Sequence, residues 1–562
     1  ILAFFFAFSL NIQAQLAPLK YLVKFTDKNY SPFSTSNPSQ FLSAKAIARR
    51  INQGISIKYN DLPVSPAYVD SVINTGVTIL NRSKWLNSIT IFTDDYLALD
   101  KIKSFPFVVS VDSVNKLNNN VHKTTFTEKL ESYSSDLSNK TTNSNNDNGK
   151  NANTNVYNYG FANNQISMIS GDYLHNNGYC GQGVTIAVLD AGFSYVETLN
   201  IFDSLWANNQ ILGTKDFVEA GGNVFNSHTH GMMVLSIMGG NIPGQLVGTA
   251  PKANYWLLRS EDASSEYIIE EYNWASAAEF ADSVGADIIN SSLGYSVFWD
   301  AVMDHTYADM NGHTAPASIA ATIAASKGII VCNSAGNSGG SYRPFIASPA
   351  DADSIITIGA VDEDENYASF SSTGPTSDGR IKPTVAAQGQ GTIVASTLGG
   401  VFSGNGTSFS SPVMAGATAC LFQAFPLMTN MQIIQAIKES SSLFSKPDNI
   451  LGYGIPNFAA AFVLLYNKKT QDSYNENNIN VFPNPFNDII NVLYFSLEAE
   501  SIDLDVFDIT GKNVYSKSGI QKTSGYKYCP IENVSKLSKG IYILKISSND
   551  KVYTRKLTKI SN

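Results

Sequence analysis

The chain has 562 residues, and at roughly 150 residues per domain this length predicts three or four structural units. Apolar residues make up 43% and aromatic residues 11%, which is enough to build sizeable cores and excludes a mostly disordered protein. Only 15% of the residues are charged and the formal net charge is −9, so a nucleic-acid partner is disfavoured. The four cysteines are too few and too scattered for a disulfide scaffold or a zinc cluster.

The N-terminal residues form an apolar run, ILAFFFAFSL, followed by NIQAQ. This pattern predicts a secretory signal peptide over residues 1–14, and the run is too short to span a bilayer. A buried strand or helix is the alternative. Because no initiator Met or basic segment precedes the run, we expect this signal to be truncated. No other apolar stretch of the sequence reaches transmembrane length.

Residues 16–115 carry alternating strand and helix patterns, which predict a small α+β module. The expected strands cover 21–25, 88–92 and 107–111, and the expected helices cover 40–52, 67–73 and 96–102. A disordered linker is expected over 116–158, because residues 139–155 contain 8 Asn in 17 positions and cannot bury a core.

The third segment, residues 159–466, alternates buried-looking strands with helical patterns. This alternation predicts an α/β fold with a parallel sheet and helices on both of its faces. A second polar linker over 467–480 then precedes a C-terminal β-rich domain over 481–562. Its alternating pattern at 502–506 is typical of a strand in a β-sandwich.

A carboxylate ends the first apolar strand of the third segment. The run GVTIAVL over 183–189 predicts a strand buried on both faces, and Asp190 follows it. Open α/β sheets bind their ligands at the C-terminal ends of such strands. Taken alone, Asp190 could equally be a helix cap or a turn residue.

A histidine stands forty residues further on, at the start of an apolar block that predicts a buried helix. His230 is followed at once by Gly231, which lets another backbone or a substrate come close. His228 is the competing candidate, but it lacks the glycine-and-helix context.

A serine and an asparagine complete the set of candidate residues. The segment GNGTSFSSPVMAG over 404–416 places Ser408 in the first turn of a helix, where backbone N–H groups and the helix dipole stabilise an oxyanion. The segment IIVCNSAGNSGG over 329–340 ends a strand at Asn337, a neutral donor suited to an oxyanion hole. Each has an alternative, an N-cap for Ser408 and a turn residue for Asn337.

Together these segments resemble the subtilase (subtilisin-like) serine peptidases over about 300 residues. The family's D-[ST]-G corresponds to Asp190-Ala191-Gly192, and its H-G-T-H-V-A to the segment from His230. Its G-T-S-M-A-x-P corresponds to the segment around Ser408, its A-G-N to Ala335-Gly336-Asn337, and its I-N-x-S-L-G to residues 289–294. Ala191 departs from the family's Ser or Thr, and the segment from His230 keeps the family's His, Gly and Val.

The resemblance implies a serine endopeptidase with a subtilisin-like sheet that acts through an acyl-enzyme. Asp190 would orient His230, His230 would take the proton of Ser408, and Asn337 would stabilise the oxyanion. Substrate would bind along Ser292, Leu293 and Gly294, with Ala335 and Gly336 nearby. No cofactor is required; structural calcium is possible, although the one turn considered for it, residues 309–312, is better explained as a plain turn.

The flanking segments also carry a resemblance. Residues 16–115 resemble the ferredoxin-like propeptides of exported subtilases, which assist folding and occupy the cleft. The tail, with VFPNPF, DVFDITGK and KGIYILKI, resembles the C-terminal sorting domain of the type IX secretion system. The resemblance therefore implies a zymogen that is secreted or held at the outer-membrane surface after export through the periplasm. Its partners would be protein or peptide substrates and the secretion machinery, and we expect a monomer.

Three alternatives stay open at this stage. A catalytically silent cell-surface adhesin would keep the same fold, and the tail could be a carbohydrate-binding β-module. A Ser-His-Asp esterase would show a G-x-S-x-G elbow and the order Ser, Asp, His, and neither is present. The cleavage specificity, the maturation sites, the pairing of the cysteines and the released or anchored final state are not determined by the sequence.

Overall fold

The structure is a computed structural model. It describes residues 19–114, 155–470, 479–482, 484–488, 490–496, 500–522, 525–548 and 551–560. The predicted signal peptide, most of the predicted linker over 116–158 and part of the second linker lie outside these residues.

The N-terminal module is a four-stranded antiparallel sheet in the order β2-β3-β1-β4 with three helices. Its elements are β1 (Lys20–Phe25), α1 (Ala44–Asn52), α2 (Pro66–Ile73), β2 (Thr78–Ser83), β3 (Ser88–Phe92), α3 (Tyr96–Lys103) and β4 (Val108–Ser113). One small core, with Val23, Ile91 and Leu99 among its members, lies between the sheet and the helices. The α+β expectation for this module is thus confirmed.

Two details of this module differ from the expectation. The helix expected from residue 40 begins at Ala44, because the side chain of Ser43 caps it by accepting a hydrogen bond from the backbone N–H of Ala46. Strand β2 was not expected, since its residues are mostly half-exposed and their apolar pattern is broken by a bulge between Ile79 and Asn81.

The central domain is built on a seven-stranded sheet in the order β13-β12-β11-β10-β5-β9-β6, in which every pairing is parallel. The strands of this domain are β5 (Thr185–Asp190), β6 (Ile211–Asp216), β7 (Asn241–Ile242), β8 (Leu246–Val247), β9 (Asn254–Arg259), β10 (Ile288–Ser291), β11 (Ile330–Ser334), β12 (Ile356–Val361), β13 (Val385–Gln388), β14 (Thr392–Ala395) and β15 (Val401–Gly404). Its helices are α4 (Asn163–Ser167), α5 (Gly171–Asn176), α6 (Asp203–Ala207), α7 (His230–Gly239), α8 (Ile269–Val284), α9 (Pro316–Ser326), α10 (Thr407–Ala424), α11 (Asn430–Glu439) and α12 (Phe458–Thr470).

Both faces of this sheet are covered, as the continuous apolar strands predict. In β5, Ile186 and Val188 belong to the core shared with α7 and α10, whereas Ala187 and Leu189 belong to the core shared with α8 and α9. Alternate side chains of one strand therefore fill two separate cores. The prediction of a parallel sheet with helices on both faces is confirmed.

The C-terminal strands form two antiparallel sheets, β16-β17-β20 and β19-β18-β21-β22, around one apolar core. They are β16 (Ile479–Phe482), β17 (Ile490–Ser496), β18 (Glu500–Asp508), β19 (Asn513–Lys522), β20 (Gly525–Ile531), β21 (Gly540–Ser548) and β22 (Lys551–Lys559). The buried side chains of Ile502, Leu504 and Val506 confirm the alternation expected at 502–506. Within the described part of the chain, no helix combines the length and apolar character needed to cross a membrane.

Candidate active site

Asp190 and His230 meet at the C-terminal edge of the sheet. Asp190 is the last residue of β5 and His230 the first residue of α7, and both side chains are fully buried. The Nδ1 atom of His230 lies 2.8 Å from Oδ1 of Asp190, and the backbone N–H of Ala191 also donates to this oxygen, at 2.7 Å. This geometry suits a carboxylate that fixes the orientation of an imidazole ring.

Glycine is required where α7 approaches the turn after β5. The backbone N–H of Gly231 donates to the carbonyl of Gly192 at 3.0 Å, and a β-carbon on Gly231 would lie only 2.5 Å from that oxygen. The glycine after His230 therefore permits the close approach that the sequence predicts.

His228, the competing histidine, lies beside the pair. Its ring Nδ1 accepts the backbone N–H of His230 at 3.2 Å. Burial and then the neighbouring His230 lower the pKa of His228, so its ring is neutral near pH 7 and can act as this acceptor.

Ser408 lies in the first turn of α10, next to the same pair. The helix begins after Gly406, and the ring of Phe409 lies 6.2 Å from the ring of His230. The hydroxyl of Ser408 donates to the carbonyl of Ser292 at 3.3 Å, and the hydroxyl of Ser292 donates back to the carbonyl of Ser408 at 2.9 Å. The serine is thus held between α10 and the segment after β10.

Asn337 is oriented by a residue that the sequence reasoning did not single out. Its Oδ1 accepts from both the backbone N–H and the hydroxyl of Thr407, at 2.9 and 2.8 Å, and Thr407 Oγ1 in turn accepts from the N–H of Gly336 at 3.1 Å. Because Oδ1 is held in this way, Nδ2 faces the turn at Gly406, where a β-carbon would lie 3.5 Å from it. In the sequence, the threonine of the G-T-S motif is the feature that could have indicated this contact with Asn337.

The expected substrate-binding residues follow two neighbouring strands. Ser292, Leu293 and Gly294 come after β10, and Ala335 and Gly336 come after β11, its parallel neighbour. The side chain of Asn333 donates to the carbonyl of Leu293 at 3.1 Å and fixes one segment to the other. The structure therefore brings these residues to the edge of the sheet that carries Asp190.

The turn considered for calcium uses its oxygens locally. Asp309 Oδ2 accepts from the N–H and the hydroxyl of Thr306, both at 2.7 Å, and Asn311 Oδ1 accepts from the N–H of His313 at 2.8 Å. These are the bonds of a plain turn. Among the described residues, one other group could hold a cation: the buried carboxylates of Glu261, Glu266 and Glu270, whose oxygens lie within 4.8 Å of one another.

The N-terminal module packs on α8 through a buried cluster of charges, which we call the interface cluster. Its members are Arg49, Arg50, Asp61 and Lys84 from the module and Asp282 and Lys327 from the central domain. Asp282 is bound by Arg49 at 2.6 Å, by Arg50 at 2.9 Å and by Lys84 at 3.1 Å. All six residues are buried.

Glu279, one turn earlier on α8, is held by the same module. It accepts from the hydroxyl of Ser83 at 2.6 Å and from the backbone N–H groups of Lys84 and Trp85 at 2.7 and 3.0 Å. The sequence reasoning expected a module that occupies the cleft but not these contacts, because 233 residues separate Arg49 from Asp282.

Comparisons with known proteins agree with this architecture. Residues 181–454 match the model of the subtilase family, residues 20–130 that of the peptidase S8 propeptide domain of Bacteroidota, and residues 480–560 that of a secretion system C-terminal sorting domain. Subtilisin E of Bacillus subtilis (strain 168) is 30% identical over 304 residues, which is 53% of this chain and 70% of that protein. Serine protease AprX of the same organism is 31% identical over 308 residues, 49% of this chain and 65% of that protein.

Among solved structures, MycP1 from Mycobacterium smegmatis aligns with a TM-score of 0.42 at 23% identity. That alignment covers 56% of this chain and 86% of the other.

Proposed function

Because this chain belongs to the subtilase family and is a secreted serine endopeptidase, we propose that Asp190, His230 and Ser408 are the residues that cleave the peptide bond. The observation that carries this assignment is the buried 2.8 Å contact between Asp190 and His230 beside the start of the helix that holds Ser408.

In the proposed reaction, His230 takes the proton of Ser408 while the serine oxygen attacks the substrate carbonyl. The imidazolium then returns the proton to the leaving amine, and water hydrolyses the acyl-enzyme in the same way. Asp190 stays ionised, holds the ring by its Nδ1–H and stabilises the imidazolium.

Asn337 and the backbone N–H of Ser408 stabilise the tetrahedral oxyanion in this proposal. Thr407 supports the role of Asn337, because it occupies the amide oxygen and leaves the NH₂ group on the side of the α10 N-terminus. An extended substrate pairs with Ser292, Leu293 and Gly294, and Ala335 and Gly336 border its other end.

The domain boundaries belong to the same proposal. Residues 16–115 are the inhibitory propeptide, 159–466 the peptidase and 481–562 the sorting domain, with the segments between them as the sites of maturation. We propose a monomer that acts on protein or peptide substrates without nucleic acid or a required cofactor.

Covalent labelling tests the assignment of the nucleophile. A fluorophosphonate should label wild-type mature enzyme once, at Ser408, and Ser408→Ala should abolish both labelling and hydrolysis of unfolded protein. Ser341→Ala removes an exposed serine hydroxyl and is the matched control. Labelling of another residue, or wild-type turnover by Ser408→Ala, would refute the assignment. A wild-type protein that neither reacts with the probe nor hydrolyses protein would instead favour the adhesin alternative.

A further inference from the structure

The substrate path is bordered on one side by the segment that follows β9. In the sheet β5 lies between β10 and β9, so Asp190 has the end of β10 on one side and the end of β9 on the other. A peptide that pairs with Ser292 to Gly294 therefore also faces the residues after Arg259.

A pocket of about 420 Å³ opens in this segment, next to the catalytic pair. Ala191, directly after Asp190, and His228, which accepts the N–H of His230, line its inner end. Arg259, Asp262 and Glu219 line the rest. A pocket of this size can hold one long side chain of a bound peptide.

The charges of this pocket are predominantly negative. The guanidinium of Arg259 is bound by Asp216 at 3.0 Å and lies 3.9 Å from Asp262, so two carboxylates already match its charge. Glu219 adds an exposed carboxylate, and His228 adds no positive charge at neutral pH because burial lowers its pKa. A cationic side chain is therefore the group that this pocket attracts.

A buried lysine of the propeptide interacts electrostatically with Asp262. Lys20, the first residue of β1, is 5% exposed. Burial lowers the pKa of Lys20, while the charges of Asp262 and Glu270 raise it. Glu270 also belongs to the group of three buried carboxylates with Glu261 and Glu266.

We propose that Asp262 and Glu219 select substrates that carry Lys or Arg within the few residues before the scissile bond. This inference rests on the proposed function, since it concerns substrates of the same site.

A matched pair of substrates tests the role of charge separately from shape. Fluorogenic peptides with arginine or the neutral isostere citrulline, at each of the three positions before the cleaved bond, are compared on mature enzyme. At one position we expect arginine to exceed citrulline by about tenfold in kcat/KM, mainly through KM, and the preference to shrink at high salt. Equal rates for both peptides at all positions would overturn the inference, although the proposed function would stand.

Variants assign the preference to the pocket. Asp262→Asn and the exposed Glu219→Gln should each lower the arginine preference several-fold, and Asp364→Asn, an exposed carboxylate on the turn after β12, should not. Glu219→Gln keeps the test valid if Asp262→Asn fails to fold. A preference that both variants leave intact, or one that a chelator abolishes because a metal ion fills the carboxylates, would overturn the inference. Absence of hydrolysis of every peptide would instead contradict the proposed function.

Discussion

Replacing Asp282 by asparagine should release the propeptide without altering the active site. Asp282 is the one carboxylate that Arg49, Arg50 and Lys84 share, and the replacement keeps its shape but removes its charge. Three buried cations would then share a neutral amide. In the free peptidase the side chain loses the module that covers it, so the same change should matter little there.

The size of the effect follows from the burial of the cluster. Removing one partner of a buried ion pair costs about 3–5 kcal/mol, because the remaining charge stays desolvated without compensation. At about 1.4 kcal/mol per factor of ten, the dissociation constant of the propeptide should rise by about 10²- to 4 × 10³-fold. Added salt should change the wild-type value only weakly, since buried pairs are poorly screened.

The measurement uses the full precursor in a Ser408→Ala background, cut in the Asn-rich linker by an added protease. The fraction of propeptide that stays bound is followed by size-exclusion chromatography over a dilution series. Asp364→Asn is the control, since its exposed carboxylate lies outside the interface cluster. An unchanged dissociation constant for Asp282→Asn would show that the cluster does not hold the propeptide.

The pH dependence of the same complex has a defined sign. Burial alone would raise the pKa of Asp282, but Lys84, Arg49 and Arg50 outweigh it and hold the pKa well below its usual 3.8. The ionised Asp282 therefore stabilises the complex fully at any pH above 3.8. This stabilisation is lost only when the pH falls through the lowered pKa of Asp282 in the complex. Mild acid should therefore not release the propeptide through Asp282, and a wild-type dissociation constant that rises steeply between about pH 7 and pH 5 would contradict this reasoning.

Three further predictions concern the peptidase itself. Asn337→Ala should lower turnover by about 10²- to 10³-fold with little change in substrate affinity, whereas a loss of affinity at normal turnover would make it a turn residue only. Burial lowers the pKa of His305, but Glu271, 2.8 Å away, outweighs it and raises the pKa above 6.5. The protonated His305 therefore stabilises the fold at low pH, and this contribution is lost as the pH rises. The fall in melting temperature caused by His305→Gln should consequently be larger near pH 6 than near pH 9. Terminal sequencing of active enzyme should find an N-terminus in the 140s to 160s and a C-terminus near 470, and activity that persists with residues 20–112 attached would contradict this.

The sequence predicts those features that depend on local pattern. The apolar run before Asp190 identifies a strand buried on both faces, and the structure divides its alternate side chains between two cores. The glycines beside His230 and Ser408 identify the turns that carry them. Strand β2 was missed because an edge strand with a bulge has no clean alternation, and its side chains are mostly half-exposed.

Contacts between distant segments leave no such pattern. Arg49 and Arg50 look like ordinary basic residues at the end of an amphipathic helix, where they suit the helix dipole. Their burial depends on Asp282, which itself looks like a solvent-facing carboxylate near the end of α8. These three residues are buried together only when the module is docked on α8. No periodicity or spacing in the sequence could therefore have indicated their contacts.

Helix α8 carries a carboxylate near each of its ends, and each carboxylate interacts electrostatically with cations of the propeptide. The charge of Glu270 in its first turn raises the pKa of Lys20, and Asp282 near its last turn binds Arg49 and Arg50. Twelve residues of α-helix separate the two positions by about 18 Å, so the two carboxylates lie in different parts of the protein. A change at Asp282 should consequently affect docking of the propeptide but not the choice of substrate. Because each docked charge also loses its hydration, these pairs add modest net affinity but penalise a propeptide that lacks them, and this makes the interface selective for its own propeptide.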